Sequence, residues 1–264
     1  MEIFLDTLSF IVIALVILAG LTSGFLVNYI ADVLPIKRRL SKPLCLSCGH
    51  EYGWIDYINW YRPCPSCGIH HSLRTWLVYF LFVGLSLWLW LRPQSNFNYI
   101  IGLLLLVYFG VVTVIDLEYR LILHPTSIFG AIFGFLIGVD LHGIKSTILG
   151  GLVGFGVMFF IYYFGRLFMR WVARRRGDIT DDEAIGFGDV NLSGIVGLML
   201  GWPGIIAGLF LTIIIAGIVS LVYLVLKLVT RRYQAFMAIP YGPFLVASTI
   251  ILLYFIDTLR TVAN

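Results

Sequence analysis

Gly186-Phe187-Gly188-Asp189 is followed by eleven uncharged residues, Val190 to Leu200, and then by Gly201-Trp202-Pro203-Gly204. At about 1.5 Å per residue, eleven residues form roughly 16 Å of helix, which is about half of a membrane's hydrocarbon core. If the second glycine-rich sequence lies at the outer surface, the first lies below the inner surface. Irregular backbone is tolerated at that depth only beside protein or a watered cavity. This stretch therefore predicts a membrane protein whose helices surround the Gly-x-Gly-Asp sequence.

The composition of the whole chain also indicates a membrane protein. Of its 264 residues, 60% are hydrophobic and only 12% are charged, and the mean hydropathy is +0.96. Soluble globular domains do not have such values. We predict an all-α polytopic membrane protein with about eight transmembrane helices and a small cytoplasmic zinc-binding loop domain. The predicted spans are roughly 8–31, 75–91, 97–116, 126–141, 146–169, 189–201, 204–228 and 240–258.

The basic residues predict how these spans are oriented. Because Lys and Arg concentrate in cytoplasmic loops, the side that carries most of them is predicted to be cytoplasmic. Both termini are then outside, and the first apolar run, which follows Glu2 and Asp6, is expected to be retained rather than cleaved as a signal. The net charge of +4 fits contact with anionic membrane lipids, so no nucleic-acid partner is expected. Only Arg92, Lys145 and Arg260 fall on the outer side.

All four cysteines lie in the polar segment between the first two predicted spans. They form two Cys-x-x-Cys pairs, Cys45 with Cys48 and Cys64 with Cys67, and each pair is followed by a glycine. This spacing is typical of a structural zinc site with four thiolate ligands. The reducing cytoplasm disfavours disulfides, while redox-active thiols and cysteines without a metal remain alternatives. The nearby His50, His70 and His71 are interpreted as surface residues.

Two aspartates form the candidate catalytic pair. Asp116 follows an uncharged run at the inner end of the third predicted span, and Asp189 opens the sixth span on the same side. Two neighbouring carboxyl groups can share a proton, so that one deprotonates a water while the other acts as an acid. The positive N-terminal dipole of the sixth helix favours Asp189 as the base and leaves Asp116 as the acid. Each aspartate alone also fits a purely structural role at a helix end.

Together these motifs resemble the type IV prepilin peptidases, a family of Gly-x-Gly-Asp membrane aspartic proteases. The resemblance covers nearly the whole chain. Besides the four cysteines, the matching sequences are Gly24-Phe25-Leu26-Val27-Asn28 with Leu34-Pro35, Ile115-Asp116-Leu117-Glu118, Gly186-Phe187-Gly188-Asp189 and Ile239-Pro240-Tyr241-Gly242-Pro243-Phe244. The resemblance implies three regions: a first transmembrane helix (1–31), a cytoplasmic tetracysteine domain (32–74) and a seven-helix protease core (75–264).

The resemblance also implies a function. An enzyme of this family cleaves a prepilin or pseudopilin precursor after a glycine, where a short basic leader meets an apolar helix. The cleavage takes place at the cytoplasmic face of the bacterial plasma membrane. Asp116 and Asp189 would be catalytic, Gly186 and Gly188 would supply active-site backbone, and zinc would be structural. Many members also methylate the new N-terminus with S-adenosylmethionine.

Three positions depart from the family pattern. Asn191 stands where the family usually has Lys, and Leu123-His124-Pro125-Thr126 replaces a Leu-Pro followed by Asp or Asn. The glutamate expected near the start of the second span is missing around Arg74. These changes leave proteolysis as the expectation and put methylation in question. A carboxylate-based proton or ion transporter and an inactive assembly scaffold remain alternative interpretations, which Asp→Asn substitutions would distinguish.

Overall fold

The computed structural model describes residues 2–58, 63–70, 72–94, 96–176, 186–230 and 240–263. In these residues the chain is all α-helical and contains no β-strand, so the predicted fold class is confirmed. The helices are α1 (Glu2–Lys37), α2 (Trp54–Ile58), α3 (Leu73–Leu91), α4 (Tyr99–Tyr119), α5 (His124–His142), α6 (Ile144–Arg176), α7 (Phe187–Leu200), α8 (Gly204–Val229) and α9 (Gly242–Ala263).

Eight of these helices correspond to the eight predicted spans. Helices α1, α3, α4, α5, α6 and α8 are long and apolar enough to cross a membrane, and α7 and α9 contain shorter apolar stretches. The remaining helix, α2, has five residues and lies in the cysteine-containing segment. The acidic residues Asp178, Asp181, Asp182 and Glu183 lie outside the described residues, as do His71 and Ile239.

The chain divides into two compact units, Met1–Ile115 and Asp116–Asn264. In the first unit, α1 packs closely on α3. A Cβ atom on Gly20 would lie 2.7 Å from the Cα of Val83, and one on Gly24 would lie 3.0 Å from the ring of Tyr79. Small residues four positions apart therefore bring the two helices into near-backbone contact, as is common between membrane helices.

A buried polar cluster joins the two ends of the cysteine-containing segment. Asp32, which is 5% exposed, lies in the last turns of α1, and it forms an ion pair with Arg74 in the first turn of α3. The hydroxyl of Tyr57, in α2, donates a hydrogen bond to the second carboxylate oxygen of Asp32 over 2.6 Å. A buried carboxylate is stable only when it is paired and hydrogen-bonded. These contacts therefore hold the segment's beginning, middle and end together.

In the second unit, α7 is the central helix. It contacts α5, α6, α8 and α9, and nine of its fourteen residues are buried. An apolar helix without a polar face is stable only when other helices or lipid cover it on every side. The predicted short sixth span is thus a short helix surrounded by longer ones.

Glycines set the distance between α6 and α7. A Cβ on Gly150 would lie 2.4 Å from the carbonyl oxygen of Gly197, and a Cβ on Gly197 would lie 2.2 Å from the carbonyl oxygen of Gly150. The hydroxyl of Ser193 also donates a hydrogen bond to the carbonyl of Gly154 over 2.9 Å. The two helices are therefore in direct backbone contact, and any side chain at Gly150 or Gly197 must push them apart.

We expect Gly150→Ala to lower the free energy of unfolding by about 1–3 kcal/mol, because the added methyl group overpacks the α6–α7 contact. Gly156→Ala in the same helix is the matched control, since a Cβ there meets no atom within 4 Å. This control should be neutral or slightly stabilising, because alanine favours a helix by about 1 kcal/mol over glycine. Thermal unfolding in detergent micelles measures both variants. Equal unfolding temperatures would contradict the packing argument.

Candidate active site

Asp116 lies in the last turn of α4 and is 4% exposed. Its backbone carbonyl accepts a hydrogen bond from the N–H of Arg120 over 2.9 Å, which ends the helix. The Oδ2 atom of Asp116 is buried and has no hydrogen-bond partner among the described residues. Buried polar atoms nearly always have such a partner, so an orphaned carboxylate oxygen suggests a functional role.

Asp189 is the third residue of α7, whose N-cap is Gly186. The Asp189 N–H donates a hydrogen bond to the carbonyl of Gly186 over 3.1 Å, and the Gly186 N–H interacts favourably with the Asp189 carboxyl group. An acidic side chain at this position commonly reaches back to the N-cap N–H and satisfies one of the free donors at the helix start. Gly186, and not Asp189, therefore occupies the N-cap position of α7.

The structure brings the two predicted catalytic residues together. Asp116 and Asp189 come from different helices of the same unit, and their carboxyl groups lie within range of electrostatic interaction. Asp116 is buried and Asp189 is partly buried, so little bulk water screens their charges. Such a pair can hold one proton between two carboxyl groups and act as acid and base together.

The two glycines predicted at this site differ in their surroundings. A Cβ on Gly188 would lie 2.8 Å from the Cβ of Ile122, so only glycine lets the start of α7 approach the segment between α4 and α5. A Cβ on Gly186 would meet only the backbone nitrogen of Gly188, at 3.9 Å. Gly186 therefore contributes to the site through its N–H group. Gly188 contributes through its lack of a side chain, which lets the start of α7 come close to Ile122.

Two site residues were not predicted. Gly242, the first residue of α9, directs its N–H toward the Asp116 carboxyl group, and Tyr241 lies within electrostatic range of Asp189. In the sequence the signals were the resemblance of Ile239-Pro240-Tyr241-Gly242-Pro243-Phe244 to the family and the two prolines, which mark the start of a helix. Nothing in the local pattern shows that this start meets both aspartates.

Asn191 lies away from the two carboxyl groups. At about 100° per residue it is roughly 200° around α7 from Asp189, on the opposite face. With His124 and Ser127 it forms the polar part of a groove of about 460 Å³ between α5, α6 and α7. The other lining residues are Ile128, Ala131, Ile148, Gly151, Leu152, Phe155, Gly194, Ile195 and Leu198. Neither aspartate lines this groove, so the departure at Asn191 leaves the immediate surroundings of the carboxyl pair unchanged.

The four cysteines also come together, in the first unit. Their sulfur atoms all lie within 4.8 Å of one another, and the Cys45–Cys67 and Cys48–Cys64 distances are both 3.7 Å. Tetrahedral coordination with metal–sulfur bonds of about 2.3 Å places sulfur atoms about 3.8 Å apart. This cluster could therefore bind a metal ion.

The two cysteine turns have the same backbone structure. The N–H of Gly49 donates to the carbonyl of Cys45, and the N–H of Gly68 to that of Cys64, both over 2.8 Å. The φ angles of these glycines are +73° and +69°, a region that L side chains rarely adopt. His50 and His70 are exposed, in agreement with the sequence interpretation.

The cysteine segment packs against the end of α1. Tyr29 and Val33 of α1 share a buried cluster with Tyr52, Tyr57 and two of the cysteines. The Tyr29 hydroxyl donates a hydrogen bond to the carbonyl of Ser41 over 2.6 Å. The segment therefore has an aromatic core, part of which is supplied by the helix that precedes it.

Comparisons with known proteins agree with this site. Residues 103–221 match the type IV leader peptidase family. The chain is 25% identical over 218 residues to a prepilin leader peptidase/N-methyltransferase of Myxococcus xanthus, covering 78% of this chain and 61% of that protein. Proteins of the same name from Aeromonas hydrophila (25% over 233 residues, 84% and 75% covered) and Stutzerimonas stutzeri (24% over 280 residues, 91% and 89% covered) are also similar.

No solved structure matches the chain. The matched family region ends before Gly242 and begins after the four cysteines, but it includes the ends of both α4 and α7. Residues 103–221 therefore match the type IV leader peptidase family, and this matched region contains both Asp116 and Asp189.

Proposed function

We propose that this protein is a membrane aspartic endopeptidase that removes the leader of type IV prepilin or pseudopilin precursors at the cytoplasmic face of the bacterial inner membrane. The observation that carries the proposal is that the carboxyl groups of Asp116 and Asp189, from different helices, lie within range of electrostatic interaction. The family match and the names of the relatives support the substrate class. The concentration of basic residues on one side of the spans supports the cytoplasmic assignment.

The proposed reaction uses the two carboxyl groups in different protonation states. The ionised carboxylate takes a proton from a water molecule, whose oxygen attacks the carbonyl carbon of the scissile peptide bond. The protonated carboxyl group gives its proton to the carbonyl oxygen, which forms a neutral tetrahedral intermediate. When this intermediate collapses, the C–N bond breaks and the leaving nitrogen receives a proton. Water is thus divided between the new carboxyl and amino termini.

The backbone around the pair suits this reaction. The glycine N–H groups that face Asp189 and Asp116 lie at the starts of α7 and α9, where helix dipoles favour negative charge. Either carboxyl group can therefore be stabilised as the anion. The assignment of Asp189 as base and Asp116 as acid stays a prediction.

We expect Asp116→Asn and Asp189→Asn each to abolish precursor cleavage while leaving the protein in the membrane. The reason is that an amide side chain can neither take a proton from water nor share a proton with the other carboxyl group. Asp140→Asn is a matched control in the same unit, at an exposed position in α5. Co-expression with candidate precursors, followed by mass spectrometry of the mature N-terminus, reports the cleavage. Normal processing by both active-site variants would favour the scaffold or transporter interpretation instead.

The same measurement also detects N-methylation, an activity that the names of these relatives include. An added methyl group on the mature N-terminus would extend the proposal to an S-adenosylmethionine-dependent transfer. A cleaved but unmethylated product would leave the peptidase proposal intact.

We also propose that the four cysteines hold one structural zinc ion. The support is their proximity, with all four sulfur atoms within 4.8 Å of one another, and the two turns of matching backbone structure that carry the cysteine pairs. Four protein ligands leave no open coordination position, so the metal would stabilise the segment rather than take part in the reaction.

We expect Cys45→Ser to lower zinc content, measured by elemental mass spectrometry, from about one ion per chain to near zero. The segment should then become sensitive to limited proteolysis, since metal binding supplies much of the folding energy of so small a structure. Ser47→Ala, between the two cysteines of the same turn, is the control. Full zinc content in the Cys45 variant would contradict the four-cysteine site.

A further inference from the structure

The start of α9 is held against the two helix ends that carry the proposed catalytic residues. A Cβ on Gly242 would lie 2.5 Å from Asp116 Oδ2, 3.2 Å from Asp116 Cγ and 3.5 Å from Leu192 Cδ2. Leu192 is fully buried and lies one turn beyond Asp189 in α7. Gly242 therefore lies against α4 at Asp116 and against α7 at Leu192.

Glycine is needed at position 242 for space and not for backbone conformation. Among the glycines that the structure describes, Gly49, Gly68, Gly143 and Gly201 have positive φ angles, and Gly242 does not. Another residue could therefore adopt its backbone conformation. However, real Cβ atoms essentially never come within 3.0 Å of another heavy atom, so a side chain here requires the Asp116 carboxyl group to move.

The space left by the missing side chain adjoins the orphaned oxygen atom. Asp116 Oδ2 is buried and lacks a hydrogen-bond partner among the described residues. An alanine methyl group at position 242 would therefore press directly on the Asp116 oxygen that has no partner among the described residues.

We propose that Gly242 is a positioning residue of the peptidase: its missing side chain lets the start of α9 lie directly against the Asp116 carboxyl group without displacing it. This inference rests on the proposed function. The Gly242 N–H, which faces the same carboxyl group, fixes that group from the backbone side. The neighbouring Tyr241, within electrostatic range of Asp189, shows that the same turn borders the second aspartate.

The first test compares Gly242→Ala with Gly204→Ala. Both glycines are the first residue of a helix, but a Cβ on Gly204 would meet only Leu200 Cβ, at an ordinary 3.6 Å. With a synthetic precursor segment in detergent micelles, we expect Gly242→Ala to lower kcat by about 100-fold, as displacement of a catalytic group by about 1 Å can. KM should stay within about twofold, since substrate binding is not the step affected. Gly204→Ala should have the kinetics of the unmodified protein.

The second test uses stability and needs no activity. If the added methyl group collides with the Asp116 carboxyl group, Gly242→Ala should lower the unfolding temperature of the protein, and Asp116→Ala should remove most of that loss in the double variant. This cycle remains informative if Gly242→Ala alone does not fold. A double variant no more stable than Gly242→Ala, or a single variant with unchanged kcat, would overturn the inference.

The two proposals fail in different ways. If Asp116→Asn and Asp189→Asn process precursor normally, the proposed function fails, whatever the stability cycle shows. If those variants are inactive but Gly242→Ala retains full turnover, the peptidase proposal stands and the role of Gly242 is rejected.

Discussion

The second unit depends on the direct backbone contact between α6 and α7. A helix of fourteen residues is too short to cross a membrane alone, and its irregular start must not face lipid. The Gly150–Gly197 contact lets the much longer α6 lie directly against it, and α5, α8 and α9 cover its other sides. The end of α7 that carries Asp189 is thereby supported by the lateral packing of longer helices.

Two helix starts explain how the two carboxyl groups are kept close together. Each faces the N–H of a glycine at the start of a helix, Gly186 for Asp189 and Gly242 for Asp116. Helix starts have free N–H groups and a positive partial charge that offset part of the charge repulsion, and Arg120 lies within electrostatic range of Asp116. This arrangement is consistent with an asparagine at position 191, because a cation on the opposite face of α7 would not contact the pair.

Much of this structure could be predicted from the sequence because the signals are local. The apolar runs predicted the helices, and the two Cys-x-x-Cys pairs predicted the cysteine cluster, because each of these features depends on residues that are close in sequence. Asp116 and Asp189 stood out because carboxyl groups are rare in apolar sequence. The contacts of Gly242 and the groove beside Asn191 could not be predicted, because they arise where helices distant in sequence meet. A glycine that is required for space has the same sequence signal as one that is merely tolerated.

The ion pair between Asp32 and Arg74 closes the cysteine-containing segment into a loop whose two ends touch. Tyr57, from the middle of that loop, bonds to the same aspartate, and aromatic side chains of α1 complete its core. The segment is therefore not an independent unit that can be exchanged between proteins. A chimera that transplants the segment between related proteins would also have to carry the last turns of α1 and the first turn of α3. Without them, Asp32 or Arg74 would be buried among apolar neighbours without its ion-pair partner.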